Sequence, residues 1–440
     1  MNVVIAKAET GPGLRSILAI PRGRLPGAGR VAEVRRQAFD AYAHAGLPHR
    51  RIEEWKYTDL RALMREVLPL APIPDVAALD RAREALASAA MQGAQKLVLV
   101  DGVFAPELSD IGALGADVSV RTLRDILENA GLEAPADLLL TNISDVMVSL
   151  NTAMATDGIV IGVADGAAPV APIQIIHVAV ASKASAFTRS HVRIGNGARA
   201  TLVESFVAAG AARGYQVHDA VIVSVGDEAQ LEHVRLMADA SDAVNITSDI
   251  ITIGARSKLN LFNMTRGGAV SRFQGFIKMA GEGSELSANG VNLLKGTQHG
   301  DTTLVVDHAV PHCTSREVFR AVLDDRAHSV FQGRIIVRPG AQKTDGKMMT
   351  RALLLSDESE ADNKPELEIF ADDVTCGHGA TSGALDETLL FYLRARGLSE
   401  KEAQALLIQA FVGEAIEQIG NDELREFASS LAQHWLEARA

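Results

Sequence analysis

The fold of this chain is decided by a turn-and-strand unit that first reads Gly195-Asn196-Gly197-Ala198-Arg199-Ala200-Thr201-Leu202-Val203. A glycine-containing turn and a small residue precede an apolar strand. The pattern returns at residues 226–234, 254–261 and 281–287, and the glycines that open the four units lie 27 to 31 residues apart. A period in this range is typical of stacked repeats.

These repeats favour a parallel β-helix over a β-sandwich. One coil of a β-helix cannot bury its apolar face alone, whereas stacked coils share ladder hydrogen bonds and a continuous core. A sandwich would show hairpin turns between matched strands, and only Asn289-Gly290 resembles one. After Pro169, short β-rich runs continue for about two hundred residues with almost no helical periodicity.

Residues 1–165 are predicted to form an N-terminal helical or mixed domain. Apolar residues recur at helical spacing over residues 31–45 and 77–91, and residues 96–102 form a short apolar run that ends in a turn. Residues 46–60 interleave charges with two aromatic side chains, which favours a segment that caps the core over a recognition loop.

Residues 166–384 are the predicted β-helix core, and residues 385–440 are a predicted C-terminal helical domain. Three helices are expected there: one capped by Asp386, one opened by the capping box Ser399-Glu400-Lys401-Glu402, and one that begins near Asn421. Each helix carries an apolar face. These faces either cap the solenoid or form a docking surface for a partner.

The composition is that of an ordinary globular protein. The chain has 440 residues, 47% hydrophobic, with a net charge of −12 that argues against nonspecific nucleic-acid binding. Its two cysteines, Cys313 and Cys376, fit a reducing compartment. No apolar run is long enough to span a membrane, and the first ten residues lack the basic leader of a signal peptide. We therefore expect a cytoplasmic protein with no nucleic-acid or membrane partner.

Several catalytic motifs are excluded. Residues 340–347 end in Gly-Lys but carry five residues between their glycines, so they do not form a P-loop. Residues 195–200 match the spelling of a dinucleotide fingerprint, yet a strand is expected to follow them instead of a helix. The chain has neither the zinc-protease His-Glu-x-x-His nor the hydrolase Gly-x-Ser-x-Gly motif. We therefore do not expect an enzyme by itself.

Two clusters of metal-competent side chains remain. His308, His312 and Cys313 flank a proline and cannot be assumed to share a face, which favours a structural turn. Cys376 and His378 stand in a glycine-flanked Cys-Gly-His run that is predicted as a tight turn after an alternating strand; a thiolate and an imidazole suit iron. Two ligands are fewer than the four of a stable mononuclear site. The missing ligands would come from Cys313, from another chain, or not at all.

Long motifs occur in an order that carries a family resemblance: Glu53-Glu54-Trp55-Lys56-Tyr57-Thr58, Gly340-Ala341-Gln342-Lys343-Thr344-Asp345, Leu353-Leu354-Leu355-Ser356, residues 364–381, and Phe391-Tyr392-Leu393-Arg394-Ala395-Arg396-Gly397. With them the chain resembles, over nearly its whole length, the SufB/SufD family of iron–sulfur cluster assembly proteins. The Cys-Gly-His-Gly run and the low cysteine count are similar to the SufD branch, since the SufB branch has a Glu-His-Glu-Ala type sequence and more cysteines. Gly377 is a departure, because some relatives carry Ser there.

The resemblance implies a mainly β protein, with a right-handed parallel β-helix between an α-rich N-terminal domain and a C-terminal helical domain. It implies a scaffold without ATPase activity that pairs with SufB along the β-helix edge and binds the SufC ATPase through its C-terminal helices. His378 is implied to bind iron or a transient cluster at the SufB interface, and Cys376 belongs to the same motif with a less settled role. No cofactor is expected to bind tightly to the isolated chain. The sequence leaves open whether reduced FAD binds the assembled complex and whether the isolated chain forms a homodimer.

The candidate residues for SufC docking lie on the first two C-terminal helices, and they are Leu389, Leu393, Leu406, Leu407 and Phe411. Three alternatives remain beside this interpretation. The chain could fill a SufB-like role, or it could be an interaction protein whose Cys-Gly-His run is only structural. A stand-alone β-helix enzyme acting on acidic polysaccharide would need secretion, a charged groove and more exposed aromatic residues, and the sequence offers none of these.

Overall fold

The computed structural model describes residues 24–129 and 136–439. Its centre is a parallel β-helix of about 8 turns, with a helical region before it and helices after it. The predicted fold class, mainly β with helical regions at both ends, is confirmed. Residues 1–23 and 130–135 of the predicted N-terminal domain lie outside the described residues, and so does the segment considered for a signal peptide.

The strands follow one another at a regular spacing along the chain. Those described are β1 (Gln95–Val100), β2 (Val103–Phe104), β3 (Val118–Thr122), β4 (Ile159–Val163), β5 (Ile173–Ala179), β6 (Ser185–Ile194), β7 (Arg199–Ala208), β8 (Gln216–Val225), β9 (Gln230–Ala238), β10 (Val244–Ile253), β11 (Lys258–Thr265), β12 (Val270–Met279), β13 (Glu285–Leu294), β14 (His299–His308), β15 (Thr314–Leu323), β16 (His328–Val337), β17 (Asp345–Leu354), β18 (Glu360–Ile369) and β19 (Thr375–Gly383). One sheet has the order β19-β17-β15-β13-β11-β9-β7-β5-β1-β2, and the other has the order β18-β16-β14-β12-β10-β8-β6-β4-β3. Each coil from β4 onward therefore places one strand in each sheet.

The helices lie before and after the solenoid. Those described are α1 (Arg30–Ala45), α2 (Leu60–Leu63), α3 (Val76–Ala89), α4 (Leu123–Asn129), α5 (Val146–Met154), α6 (Glu387–Ala395), α7 (Glu400–Ile416) and α8 (Asp422–Arg439). The carboxylate of Asp386 caps α6, and Ser399 with Glu402 forms the capping box of α7. None of the described helices has both the length and the apolar character needed to cross a membrane.

The turn glycines are required because successive coils approach closely. A Cβ atom added at Gly226 would lie 2.8 Å from the backbone nitrogen of Asn196, and one added at Gly281 would lie 1.9 Å from the backbone nitrogen of Ala255. The same turns share side-chain bonds, since Asn196 accepts from the amide of Asp227 at 2.9 Å and Asp227 accepts from the amide of Ala255 at 2.7 Å. The glycine period is thus set by contact between stacked coils.

The outer faces of the two sheets are covered by different ends of the chain. Residues of α1 and α5 pack with Phe187 and Val270 on the nine-stranded sheet. The apolar faces of α7 and α8 pack with Phe262 and Leu293 on the ten-stranded sheet. The C-terminal helices therefore lie along a sheet face, and they do not close the end of the solenoid. The last coil, β18 with β19, keeps mostly half-buried or exposed side chains.

The aromatic segment at residues 46–60 is fastened to the nine-stranded sheet. Trp55 is buried, and the guanidinium carbon of Arg272 lies 3.8 Å from the centroid of its ring. Arg272 also donates to the carbonyl oxygen of Glu54 at 2.7 Å, and the indole nitrogen of Trp55 donates to Asp145 at 2.9 Å. This segment therefore packs within the chain, as a capping segment does.

Gly281→Ala is expected to lower the free energy of unfolding by about 1–3 kcal/mol, because its Cβ would overlap the backbone of the neighbouring coil. Thermal or urea unfolding followed by circular dichroism measures the change. Gly340→Ala is the matched control, since that glycine also lies in a turn but its added Cβ meets nothing within 4 Å. Equal stabilities of the two variants would contradict the close-approach explanation.

Candidate functional site

Cys376 and His378 lie on β19, the last strand of the ten-stranded sheet. The tight turn predicted for the Cys-Gly-His run is wrong, because these residues form a regular ladder with β17, in which Cys376 pairs with Gly346 and His378 with Met348. The turn comes just before them, at residues 370–374. Pairing with the preceding coil outweighs the local turn preference of the two glycines. The alternating run before the turn does form a strand, β18.

The two candidate ligands project from the same face of the strand. Residues two apart on a strand share a face and lie about 6.6 Å apart along it. Cys376 is half-buried against the interior core of the β-helix, and His378 is exposed. Both side chains therefore belong to the inner side of the last coil, at the end of the solenoid.

The last coil is paired on one side only, as far as the described residues show. β18 pairs with β16, and β19 pairs with β17. The other edge of each strand presents amide and carbonyl groups without a ladder partner, which is a template for pairing with another chain. The candidate ligands thus lie where a second chain can join.

The protonation state of Cys376 bears on its use as a ligand. Burial raises the pKa of its thiol, an effect partly offset by a hydrogen bond with the backbone of Gly346, and the charge of Asp345 raises it further. Because the thiolate is the form that binds metal, the thiol of the isolated chain is held in its weaker ligand form. A cation close to Cys376 would favour its deprotonation.

Glu317 is a residue that sequence reasoning missed. It lies on β15, where it pairs in register with Met348, the same residue that pairs with His378 on the next strand. Its carboxyl group is buried, and among the described residues neither of its oxygens accepts a hydrogen bond of normal geometry. Burial raises the pKa of Glu317 to about 8, an effect only partly offset by the Ser315 hydroxyl. A protonated acid therefore lies inside the coil stack two strands from His378.

The weaker metal candidates have separate surroundings. His308 is buried with its Nε2 3.0 Å from the Ser315 hydroxyl, and Cys313 is buried with its sulfur 3.3 Å from the Ser284 hydroxyl. His312 is exposed in the turn between them, at a φ of 61°. Within residues 24–129 and 136–439, the groups of three or more converging metal ligands include none of these three residues and neither candidate on β19.

The candidate docking residues lie at the surface of α6 and α7. Leu389 and Leu406 are 50% and 46% exposed. Leu393, Leu407 and Phe411 are half-buried. A different face of α7 packs on the sheet, and its buried residues are Ala403, Ile408, Val412, Ala415 and Ile416. Phe411 itself packs against this core, and its ring centroid lies 5.6 Å from the guanidinium carbon of Arg320. Leu389 and Leu406 stay available on the surface, as do the exposed side chains of Phe391 and Tyr392.

Comparison with known proteins identifies the family. Residues 177–411 match the model described as "SUF system FeS cluster assembly, SufBD core domain", and residues 27–175 match "SufBD protein N-terminal region". The chain belongs to the SufBD family. It is 31% identical over 395 residues to SufD of Escherichia coli K12, an alignment that covers 89% of each protein. A SufBD family protein of Synechocystis is 30% identical over 402 residues, covering 88% of this chain and 86% of the relative. The chloroplast protein ABCI7 of Arabidopsis thaliana is 31% identical over 246 residues, covering 54% and 51%.

These matches confirm the resemblance carried by the motifs. The chain is a SufD homologue and an iron–sulfur cluster assembly protein of the SufBD family. Its family places it in the context of the SUF system, in which a scaffold role fits the arrangement described above. The ligand roles of His378 and Cys376 and the contacts with partners belong to the proposal below.

Glu317→Gln is expected to reduce the pH dependence of stability. The pKa of Glu317 is raised from its ordinary 4.5 to about 8 in the folded protein, so its contribution is fully present below about pH 4.5 and is lost as the pH rises towards 8. The difference in free energy of unfolding, variant minus wild type, should therefore be a few kcal/mol more favourable to the variant at pH 8 than at pH 5. One pKa unit corresponds to about 1.4 kcal/mol. Urea unfolding at both pH values measures this gain.

The cost of the buried amide in this variant is the same at both pH values, so only the difference between them is diagnostic. Glu360→Gln, at an exposed glutamate of β18, is the control and should leave the pH dependence unchanged. The same pH dependence in both variants would contradict a buried, protonated Glu317.

Proposed function

We propose that this chain is the SufD-type scaffold of a SufBCD complex and that it supplies His378 as a ligand for iron or a nascent iron–sulfur cluster. The observation that carries the proposal is the position of His378, an exposed imidazole on the last coil, with Cys376 two residues away on the same strand of the described structure. Two protein ligands leave a metal or cluster incomplete. A second subunit that joins at this coil completes the site, and iron and sulfide are then its cargo.

Pairing with SufB uses the free edges of β18 and β19. A second β-helix placed against them continues both sheets and satisfies the exposed backbone groups. Four of the ten residues of β18 are acidic and one is a lysine. Two identical acidic edges repel each other, whereas a partner with basic residues on its edge is attracted. This charge pattern supports a heteromeric partner over a homodimer.

Docking of the SufC ATPase uses the exposed apolar surface of α6 and α7. α6 follows β19 after only three residues, 384–386. Three residues extend to about 10 Å at most, so a displacement of α6 acts directly on the strand that carries His378. ATP binding and dimerisation of SufC would displace these helices and shift the last coil between a closed and an open arrangement. The chain needs no enzymatic activity of its own in this scheme.

Cys376 is proposed as a second, weaker ligand on the same face as His378. Its raised thiol pKa keeps it protonated until a cation arrives. A flavin does not fit the turn that matches the dinucleotide spelling, because Gly197 is followed by β7 and no helix N-terminus is present there to bind a pyrophosphate. Reduced FAD, if it binds the assembled complex, would therefore bind elsewhere.

His378→Ala is expected to abolish cluster maturation and to leave the complex assembled, because the exposed imidazole takes little part in packing. Co-purification with SufB and SufC reports assembly, and anaerobic iron and sulfide analysis with transfer to an acceptor protein reports maturation. His312→Ala is the control, because His312 is also an exposed histidine but lies in a turn and not on β19. Normal maturation in the His378 variant would refute its role as a ligand.

Leu406→Glu is expected to weaken SufC binding at least tenfold, since burying an unpaired carboxylate in the interface costs about 1.4 kcal/mol or more. Titration calorimetry with purified SufC measures the affinity, and circular dichroism checks the fold. Val170→Glu is the control, because Val170 is a fully exposed apolar residue between β4 and β5, outside the C-terminal helices. Unchanged affinity, or loss of soluble protein, would show that this leucine is not part of the docking surface.

A further inference from the structure

A cluster of ionisable side chains lies inside the β-helix, far along the coil stack from His378. It involves strands β5 to β10 and thus both sheets, and every member is buried. The six residues are His177, Glu204, Asp219, His233, Arg235 and Asp249.

The charges of this cluster are not balanced by its own members. Three carboxyl groups are present with one guanidinium. Arg235 donates to both Glu204 and Asp249, and Asp219 accepts a hydrogen bond from the Thr188 hydroxyl at 2.5 Å. If the carboxyl groups are ionised and the imidazoles neutral, two negative charges remain in excess. Unbalanced charge in a dry interior is costly, so a further positive charge is expected there.

Three unpartnered atoms identify where that positive charge would bind. His177 Nε2, Glu204 Oε1 and Asp219 Oδ2 have no hydrogen-bond partner among the residues that the structure describes. Each of these residues also offers a ligand atom, and the three ligand atoms lie within 4.8 Å of one another. Ligand atoms bound at about 2.1 Å from a metal lie about 3–4 Å from one another. Small side-chain rotations would therefore bring these three ligand atoms around one cation.

A second trio, formed by Glu204, His233 and Asp249, has similar spacing but is already occupied by protein contacts. Glu204 belongs to both trios and accepts from Arg235 in each, but in the second trio Asp249 accepts from Arg235 too, and His233 Nε2 already lies 2.8 Å from Glu204. A cation placed there would face the guanidinium directly. The trio that contains His177 is therefore the better site.

The imidazole of His177 is held ready for such a role. It stacks on the ring of Phe206, with centroids 4.4 Å apart and an angle of 12° between the planes. Burial lowers the pKa of His177, and the neutral imidazole is the form that binds metal. The stacking fixes the ring plane, as the supporting contacts of metal-binding histidines commonly do.

We propose that His177, Glu204 and Asp219 bind a divalent first-row transition cation, of which Zn²⁺ is the best fit, inside the β-helix. One nitrogen and two carboxylate oxygens form a ligand set that Zn²⁺ accepts, and its two positive charges equal the excess negative charge of the cluster. The ion would join β5 and β7 of one sheet to β8 of the other. This inference is independent of the cluster-assembly role of His378.

Because the site is enclosed, the cation would enter during folding and resist removal from the folded protein. The test therefore refolds the full-length chain with Zn²⁺ or with Co²⁺, washes it with EDTA, and measures metal per chain by mass spectrometry and cobalt by its visible absorption. About one retained ion per chain is expected. His177→Gln and Asp219→Asn should retain less than a tenth of it.

His218→Gln is the matched control, because His218 is also a buried imidazole stacked on a phenylalanine, Phe187, at 4.6 Å and 12°. It should keep the ion, and His378→Ala should keep it too. The wild-type chain refolded with Zn²⁺ should also melt at a higher temperature than the chain refolded in EDTA, a difference that Asp219→Asn should remove.

Two results would overturn the proposal. One is a wild-type chain that retains neither metal above the buffer level, and this result stands even if a variant fails to fold. The other is full retention in both His177→Gln and Asp219→Asn. Either would mean that the excess charge is neutralised by protons, since burial raises the pKa of Asp219 and Asp249 to about 6.

Discussion

The structure depends on the requirement that every coil of the β-helix be hydrogen-bonded to a coil on each side. A parallel strand satisfies its backbone only through its neighbours. Within the stack this requirement is met from β4 onward, and the turn glycines keep the coils close enough to meet it. At β18 and β19 the described residues meet it on one side only. The same constraint that builds the core therefore leaves a surface with unsatisfied backbone groups beside Cys376 and His378.

The interior of the stack is not uniformly apolar. Burying charged groups is seldom a net gain in stability, even when they are paired. The chain nevertheless places Arg235 between Glu204 and Asp249 and buries Glu317 with no hydrogen bond of normal geometry among the described residues. Buried ionisable groups that lower the stability of a core are often found at functional sites. One lies in the early coils and the other next to the last coil, so they are two separate features of the interior.

The repeat period and the capped helices could be predicted from the sequence because they depend on local requirements. A glycine is needed where Gly281 touches the previous coil, and the carboxylate of Asp386 caps the helix that follows it. The strand at residues 375–383 could not be predicted, since its pairing with β17 is non-local. The position of Glu317 was also hidden. The outer faces of this β-helix are also covered, so apolar residues occur on both sides of a strand. Alternation of apolar and polar residues therefore does not reveal which side points inward. A glutamate that points inward cannot be told from an exposed one by the sequence.

The one-sided last coil has a consequence for the amount of protein in the cell. In a stack of repeats, each unit is stabilised by its neighbours, so the terminal coil is the one that opens most easily. An unpaired subunit exposes this coil to proteases and to aggregation, whereas a subunit bound at β18 and β19 is protected there. Copies made in excess of their partner would be removed faster than assembled ones. If a partner joins at β18 and β19 as proposed, the same edge would also match the abundance of this chain to that of its partner.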